Sequence, residues 1–233
     1  MHIHKQIEII DLALYLEKEK ILVLSDLHIG YEEYLNKEGV LIPRFQLEDM
    51  IKRINNILDR VDVSKIIING DLKHEFGTIS KQEWQDTVKI LDLFNGKEVV
   101  LIKGNHDTIL GPIAEKNNIT IQDYFSVGEI YICHGHKIPN DEEFKKSKIL
   151  IIGHEHPAVS FRERKDEKFK CFLKGKWKNK LLLVMPSLNL VTQGSDVTKE
   201  KLLSPFLQNH ISEFEVFVVE NKVYDFGRLK ELI

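Results

Sequence analysis

Five short apolar runs in this chain break off into the same few residue types. "ILVLSDLH" ends in Asp26 and His28, "KIIINGD" in Asp71, "VVLIKGNHD" in Asn105, His106 and Asp107, "IYICHGH" in His134, and "ILIIGHEH" in His154 and His156. Runs of this length and aliphatic content are what buried strands require. In open α/β sheets, loops at the carboxyl ends of strands present side chains to one crevice. This ordering therefore predicts a fold that gathers carboxylates, an amide and several imidazoles in one place.

Taken singly, each residue has an ordinary explanation. An Asp after a strand caps a turn or a helix, and a lone His sits at the surface or is satisfied in the core. Together they do not. The chain holds ten His, and six of them (28, 106, 134, 136, 154 and 156) fall just past an apolar run. Imidazole, carboxylate and amide oxygen without thiolate suit manganese, iron or zinc in a reactive site rather than a structural zinc site. More than four candidate ligands imply two ions. Two divalent ions can activate a water and clamp a phosphoryl oxygen for in-line displacement.

Strand-like runs cover Ile7–Ile10, Ala13–Glu17, Ile21–Ser25, Ile66–Asn69, Glu98–Ile102, Ile130–Cys133, Ile149–Ile152 and Leu181–Met185. A hairpin is predicted from Phe214–Val219 and Lys222–Phe226. Helical periodicity marks residues 44–61, with Met50, Ile54 and Ile57 on one stripe, and residues 81–94, with Trp84, Val88 and Leu91. Helices separate the early strands and short turns join the later ones, so the expectation is an α/β opening followed by an antiparallel β continuation. Residues 1–233 read as a single domain without a linker. The 42% apolar and 30% charged residues suit a globular protein, and a formal charge of −3 gives no global sign of nucleic-acid or membrane binding. No apolar stretch reaches the roughly 18 residues of a membrane span. The first residues lack the layout of a secretion signal, and Cys133 and Cys171 are too few for a disulfide framework. The expected location is the cytoplasm.

Asp26-x-His28, Gly70-Asp71, Gly104-Asn105-His106-Asp107, His134 and Gly153-His154-x-His156 resemble the ordered motif set of the calcineurin-like metallophosphoesterases. The layout is similar to the small archaeal and bacterial ICC-like phosphoesterases, some encoded beside DNA ligase. The resemblance implies four α-β-β-α layers built on two mixed sheets. It implies that Asp26, His28 and His156 hold one metal ion and that Asn105, His134 and His154 hold the other, with Asp71 bridging. Manganese is the first expectation, with iron, zinc or nickel as the others. His106 would sit over the phosphate and protonate the leaving oxygen, and Asp107 would fix the loop. A homodimer is implied by the family alone.

One departure concerns substrate. Many phosphatases of the superfamily carry Asp three positions after the bridging Asp, whereas "GDLKHEF" places His74 there, similar to the "GDLFH" of double-strand-break repair nucleases. His74 can orient a diester or merely cap the following segment. The expected activity is a phosphodiesterase working through a metal-bridging hydroxide, on small esters, nucleotides or single-stranded nucleic acid. The alternative is a catalytically silent metal-binding scaffold. The stretch 161–180 interleaves Arg162, Arg164, Lys165, Lys168, Lys170, Lys174, Lys176, Lys178 and Lys180 with Phe169, Phe172 and Trp177. It reads either as a nucleic-acid contact or, preferably, as a solvated hairpin with aromatics inward and lysines in water. Asn189, Gln193 and Asp196 follow the last core strand, as a plain loop or as the mouth of the site.

Overall fold

The computed structural model describes residues 1–42, 45–75, 80–107, 111, 119–161 and 164–232, without the side chains of 164–166. Seven strands form the first sheet in chain order: β1 (His2–His4), β2 (Ile7–Ile10), β3 (Ala13–Leu16), β4 (Ile21–Leu24), β5 (Lys65–Asn69), β6 (Glu98–Ile102) and β7 (Thr120–Gln122). β1 to β4 are antiparallel neighbours, and β4 to β7 are parallel. The register aligns Leu24 with Ile68 and Ile68 with Leu101. Three carboxyl ends therefore stop level, and the loops that follow them leave from one line.

The second sheet has nine strands: β8 (Tyr124–Val127), β9 (Ile130–Cys133), β10 (Ile149–Ile152), β11 (Pro157–Phe161), β12 (Arg164–Trp177), β13 (Lys180–Val184), β14 (Ser195–Asp196), β15 (Glu215–Val219) and β16 (Val223–Arg228). Here the antiparallel continuation expected from sequence is corrected, because β9, β10 and β13 run parallel at its centre. Their aliphatic runs are buried on both faces, which is the pattern of parallel strands. Cys133, Ile152 and Val184 lie in register, so a second set of strand ends is also level.

Alternation along these strands divides the core in two. Ile132, Ile151, Phe172, Leu183 and Phe217 join the cluster shared with the first sheet. Tyr131, Cys133, Leu150, Ile152, Leu182 and Val184 belong to a second cluster with Trp177 and Phe206. The sheets thus pack face to face, as period-two side-chain placement dictates. Helices α1 (Tyr31–Lys37), α2 (Gln46–Leu58) and α3 (Lys81–Asp92) belong to the first half. α2 buries Met50, Ile54 and Ile57, and α3 buries Ile90 and Leu91. Ser80 caps α3 by accepting the Glu83 N–H. The second outer cluster is covered mainly by α4 (Glu142–Lys146), which contributes Phe144, and by the irregular segment around Phe206, Leu207 and Phe214. The fourth layer is therefore thin.

The stretch 161–180 is not a free-standing solvated hairpin, although Phe172 and Trp177 are buried and Lys176 and Lys178 are exposed, as that reading expected. β12 pairs with β11, β13 and β15 and lies inside the sheet. Arg162 lies outside the described residues, as do the side chains of Arg164 and Lys165.

Candidate metal centre

The ligand loops turn in a backbone conformation that side chains rarely adopt. Asp26, His28, Asp71, His154 and His156 all have positive φ, between 44° and 67°, five of the nine such non-glycine residues described. Each left-handed residue with a Cβ costs roughly 1–2 kcal/mol, and such strain concentrates at functional sites. Here it falls at the strand ends whose side chains converge on one crevice. Gly70 turns at φ +81°, and an added Cβ there would meet His134 Nδ1 at 2.1 Å. At Gly153 a Cβ would meet Asp26 Oδ2 at 2.4 Å.

The donor atoms converge. Asp26, His28 and His156 form one group within 4.8 Å, and Asp71, His134 and His154 form another. His156 Nε2 lies 3.2 Å from Asp26 Oδ1 and 3.3 Å from His28 Nε2. His134 Nε2 lies 3.0 Å from Asn105 Oδ1 and 3.3 Å from Asp71 Oδ2. The same Asp71 oxygen lies 3.6 Å from His28 Nε2, so it stands between the groups. Two ligands bound about 2.1 Å from one ion lie about 3.0–3.4 Å apart at ordinary coordination angles. The donor set and its spacing therefore fit two divalent cations. The other Asp71 oxygen accepts the His106 N–H at 2.9 Å. Ser25 donates to Asp26 at 2.6 Å, and the His154 N–H reaches the same carboxylate.

Electrostatics agree with that chemistry. Burial opposes charge on Asp26 and Asp71, yet His156 and His134 prevail and hold both carboxyls below their usual range. Burial likewise opposes a proton on His134, but its hydrogen bond to Asp71 and the charge of Asp26 push it up to about 9. The cluster demands positive charge. Burial and the neighbouring imidazoles lower His28 to about 3 and His154 to about 4, leaving both neutral and ready to ligate.

His106 Nδ1 donates to the His74 carbonyl at 2.6 Å, so in the neutral ring Nε2 is the basic nitrogen. His74 is a joint. Its Nδ1 lies 3.3 Å from His28 Nδ1, and its ring lies 5.3 Å from that of His106. Its backbone N–H donates to Glu83. Residues 76–79, directly after His74 and Glu75, lie outside the described residues, and α3 beyond them is capped by Ser80. Asp107, nearly buried, accepts from Leu72 N–H at 3.1 Å and Gly104 N–H at 2.9 Å, which ties its loop to that of Asp71. Burial pushes its carboxyl up to about 6 against the Gly104 bond. His28, Asp71, His74, Asn105, His106 and His154 line a cavity of about 240 Å³. A larger cleft of about 560 Å³, beside Asp11, Arg60 and Lys222, contains none of them.

Sequence reasoning missed most of the contacts that hold the loops, having named Asn189 and Lys170 only for other roles. Ser187 donates to the Asp26 carbonyl at 2.6 Å, and Asn189 donates to the carbonyls of Leu27 and His28. Lys170 donates to the carbonyls of Ser187 and Asn189. Glu155 accepts from the Leu203 and Ser204 N–H groups at 2.8 Å and so ties the far rim to the His154–His156 loop. Gln193 is exposed and Asp196 bonds to Ser160; neither lines the cavity. Only the polar run after β13 hinted at Asn189.

Two mixed sheets with a carboxylate–amide–imidazole constellation across their strand ends define a metallophosphoesterase-like fold. The chain belongs to the calcineurin-like phosphoesterases, whose family model matches residues 19–210 and so includes the whole constellation. It is a metal-dependent phosphoesterase by that membership. Among solved structures, it resembles the Pseudomonas putida nuclease MPE, with 20% identity and a TM-score of 0.68 over 93% of this chain and 92% of that one. That likeness is one of fold. The Aquifex aeolicus protein AQ665, of unknown function, aligns at 18% identity and a TM-score of 0.38 over 63% of this chain and 82% of that one. No curated protein matches the chain. Among the described residues, no helix is long and apolar enough to cross a membrane.

Proposed function

We propose that this protein is a two-metal phosphodiesterase acting on nucleotide or nucleic-acid esters, with manganese as its first metal. The observation that carries the reading is Asp71 Oδ2, 3.3 Å from His134 Nε2 and 3.6 Å from His28 Nε2, between two ligand groups contributed by both sheets. Asp26, His28 and His156 would hold one ion, and Asn105, His134 and His154 the other, with Asp71 shared. When bound, the ions supply an activated water and charge compensation at the phosphoryl oxygens. His106 does what an ion cannot. Its Nδ1–H is fixed on the His74 carbonyl, so Nε2 is the atom that would take up a proton from solvent and pass it to the leaving oxygen. His74 steadies both His28 and His106, so the step from Asp to His at this position acts on the geometry around the phosphate. The nuclease named among the fold relatives supports nucleic acid as the substrate class to test first.

The test is hydrolysis of bis(p-nitrophenyl) phosphate and of the corresponding monoester by chelator-stripped protein, with and without Mn²⁺, alongside a count of bound metal. Metal-dependent cleavage favouring the diester with two ions per chain is expected. One ion per chain at saturation would sink the two-metal reading. Silence on both esters with two ions bound would favour the scaffold.

A further inference from the structure

Nothing in the cavity explains how the organic part of a substrate is held. Among the described residues lining it there is no Lys or Arg. On the α1 side the cavity is lined by Tyr31 and His74, and Tyr34 lies beside them, outside the lining. Tyr31 lies 4.2 Å from the His74 ring, centroid to centroid, and Tyr34 lies 4.9 Å from it. The two tyrosine rings are nearly parallel, 19° apart at 6.4 Å. They continue a line of rings that starts at His28, 5.3 Å from His74.

These tyrosines are not core residues. α1 fully buries none of its side chains, and Tyr34 is 38% exposed. Yet the helix is held firmly. Lys37 bonds to Glu75 at 2.7 Å, Ser80 bonds to Glu33 at 2.7 Å, and Glu83 anchors the backbone of His74 and Glu75. Gly30 makes the entry turn at φ +90°, with Glu83 only 3.0 Å from where a Cβ would stand. Across the cavity, Leu203 adds an exposed apolar rim. A fixed, accessible aromatic face beside a phosphate site has the chemistry to hold a planar base by stacking.

We infer that Tyr31 and Tyr34 form a nucleobase subsite, on which a base attached to the scissile phosphate stacks during turnover. The inference rests on the phosphodiesterase reading and narrows its substrate to nucleoside esters.

The experiment compares p-nitrophenyl esters of thymidine 5′- and 3′-phosphate with counterparts in which the base is absent, the sugar being kept. With Mn²⁺ present, at least one nucleoside ester has a KM roughly 5- to 150-fold below its base-free counterpart, the range of one base on one aromatic face. Tyr34→Ala and Tyr31→Ala shrink that ratio toward one, and Tyr34→Phe keeps it. A ratio of one in the wild-type protein overturns the subsite while leaving the phosphodiesterase intact. A ratio that survives both alanine variants also overturns it, including when kcat falls on every ester, since the tyrosines would then act only by positioning His74. Failure to hydrolyse any diester with metal bound overturns the underlying reading itself. Competition by octathymidylate at lower concentration than by thymidine monophosphate assigns the base to a strand. Equal competition assigns it to a free nucleotide.

Discussion

Gly104 shows how closely the ligand loops approach one another. Its φ is not left-handed, so it is required for space rather than for conformation. A Cβ there would meet Asp71 Oδ1 at 2.0 Å and the Asp71 backbone nitrogen at 2.4 Å, neither of which can yield without moving the carboxylate between the two groups. Gly104→Ala should therefore weaken Mn²⁺ binding by roughly 10- to 100-fold, the usual effect of disturbing a ligand's support. Calorimetric titration reads this directly, and unchanged affinity would show that the Asp71 loop adapts. His106, one residue beyond Asn105, is expected to behave in the opposite way. His106→Ala should keep both ions and lose about 10²- to 10⁴-fold in turnover, as removal of an acid–base group does. Metal loss in that variant would reassign His106 as a ligand. The Asp and His side chains that need positive φ carry no sign of it in their sequence. Residue types and spacing made the convergence of these side chains legible, whereas the positive-φ turns that carry them were not.

β12 shows what an element conceals. From Lys168 to Trp177 its residues alternate, with lysines at 168, 170, 174 and 176 and Phe169, Cys171, Leu173 and Trp177 between them. The period is that of a strand, and the aliphatic runs around it announced their strand ends just as plainly. What alternation cannot say is which face meets water. Cys171 and Leu173 pack in the outer cluster, whereas Phe172, on the lysine face, packs between the sheets. Its neighbour Lys170 follows that direction. Although the residue as a whole is half-buried, its ammonium is enclosed and bonds to the Ser187 and Asn189 carbonyls. Burial, and then the charge of Arg53, lower it from 10.5 to about 7. Above pH 10.5 neither state holds the proton, and below 7 both do. Between those limits the unfolded chain binds more protons, so stability rises with pH by up to about 1.4 kcal/mol per unit. Lys170→Met should lack this rise. Urea unfolding of both proteins at pH 7, 8.5 and 10 checks it, and parallel profiles would mean that the ammonium is solvated.

At the scale of the whole molecule the constellation joins two sheets. Asp26, His28, Asp71 and Asn105 follow strands of the first sheet, and His134, His154 and His156 follow strands of the second. Neither half can assemble either ligand group alone: the first group takes His156 from the second sheet, and the second takes Asp71 from the first. Unfolding or parting of the sheets therefore disperses both, and ions that bind only the assembled site must stabilise it. If two Mn²⁺ ions bind as proposed, each would contribute about 2.7 kcal/mol at free metal a hundredfold above its dissociation constant. For a chain of this size that is a rise in Tm of roughly 5–10 °C per site. Thermal unfolding of chelator-stripped protein should shift upward with Mn²⁺ in this range and saturate with the binding isotherm. His154→Ala removes a donor from one group only, so about half of the shift should remain. A wild-type Tm indifferent to Mn²⁺ would mean that the folded constellation does not hold the ions. The convergence of donor atoms from two sheets would then have to be explained by the imidazole–carboxylate hydrogen bonds alone.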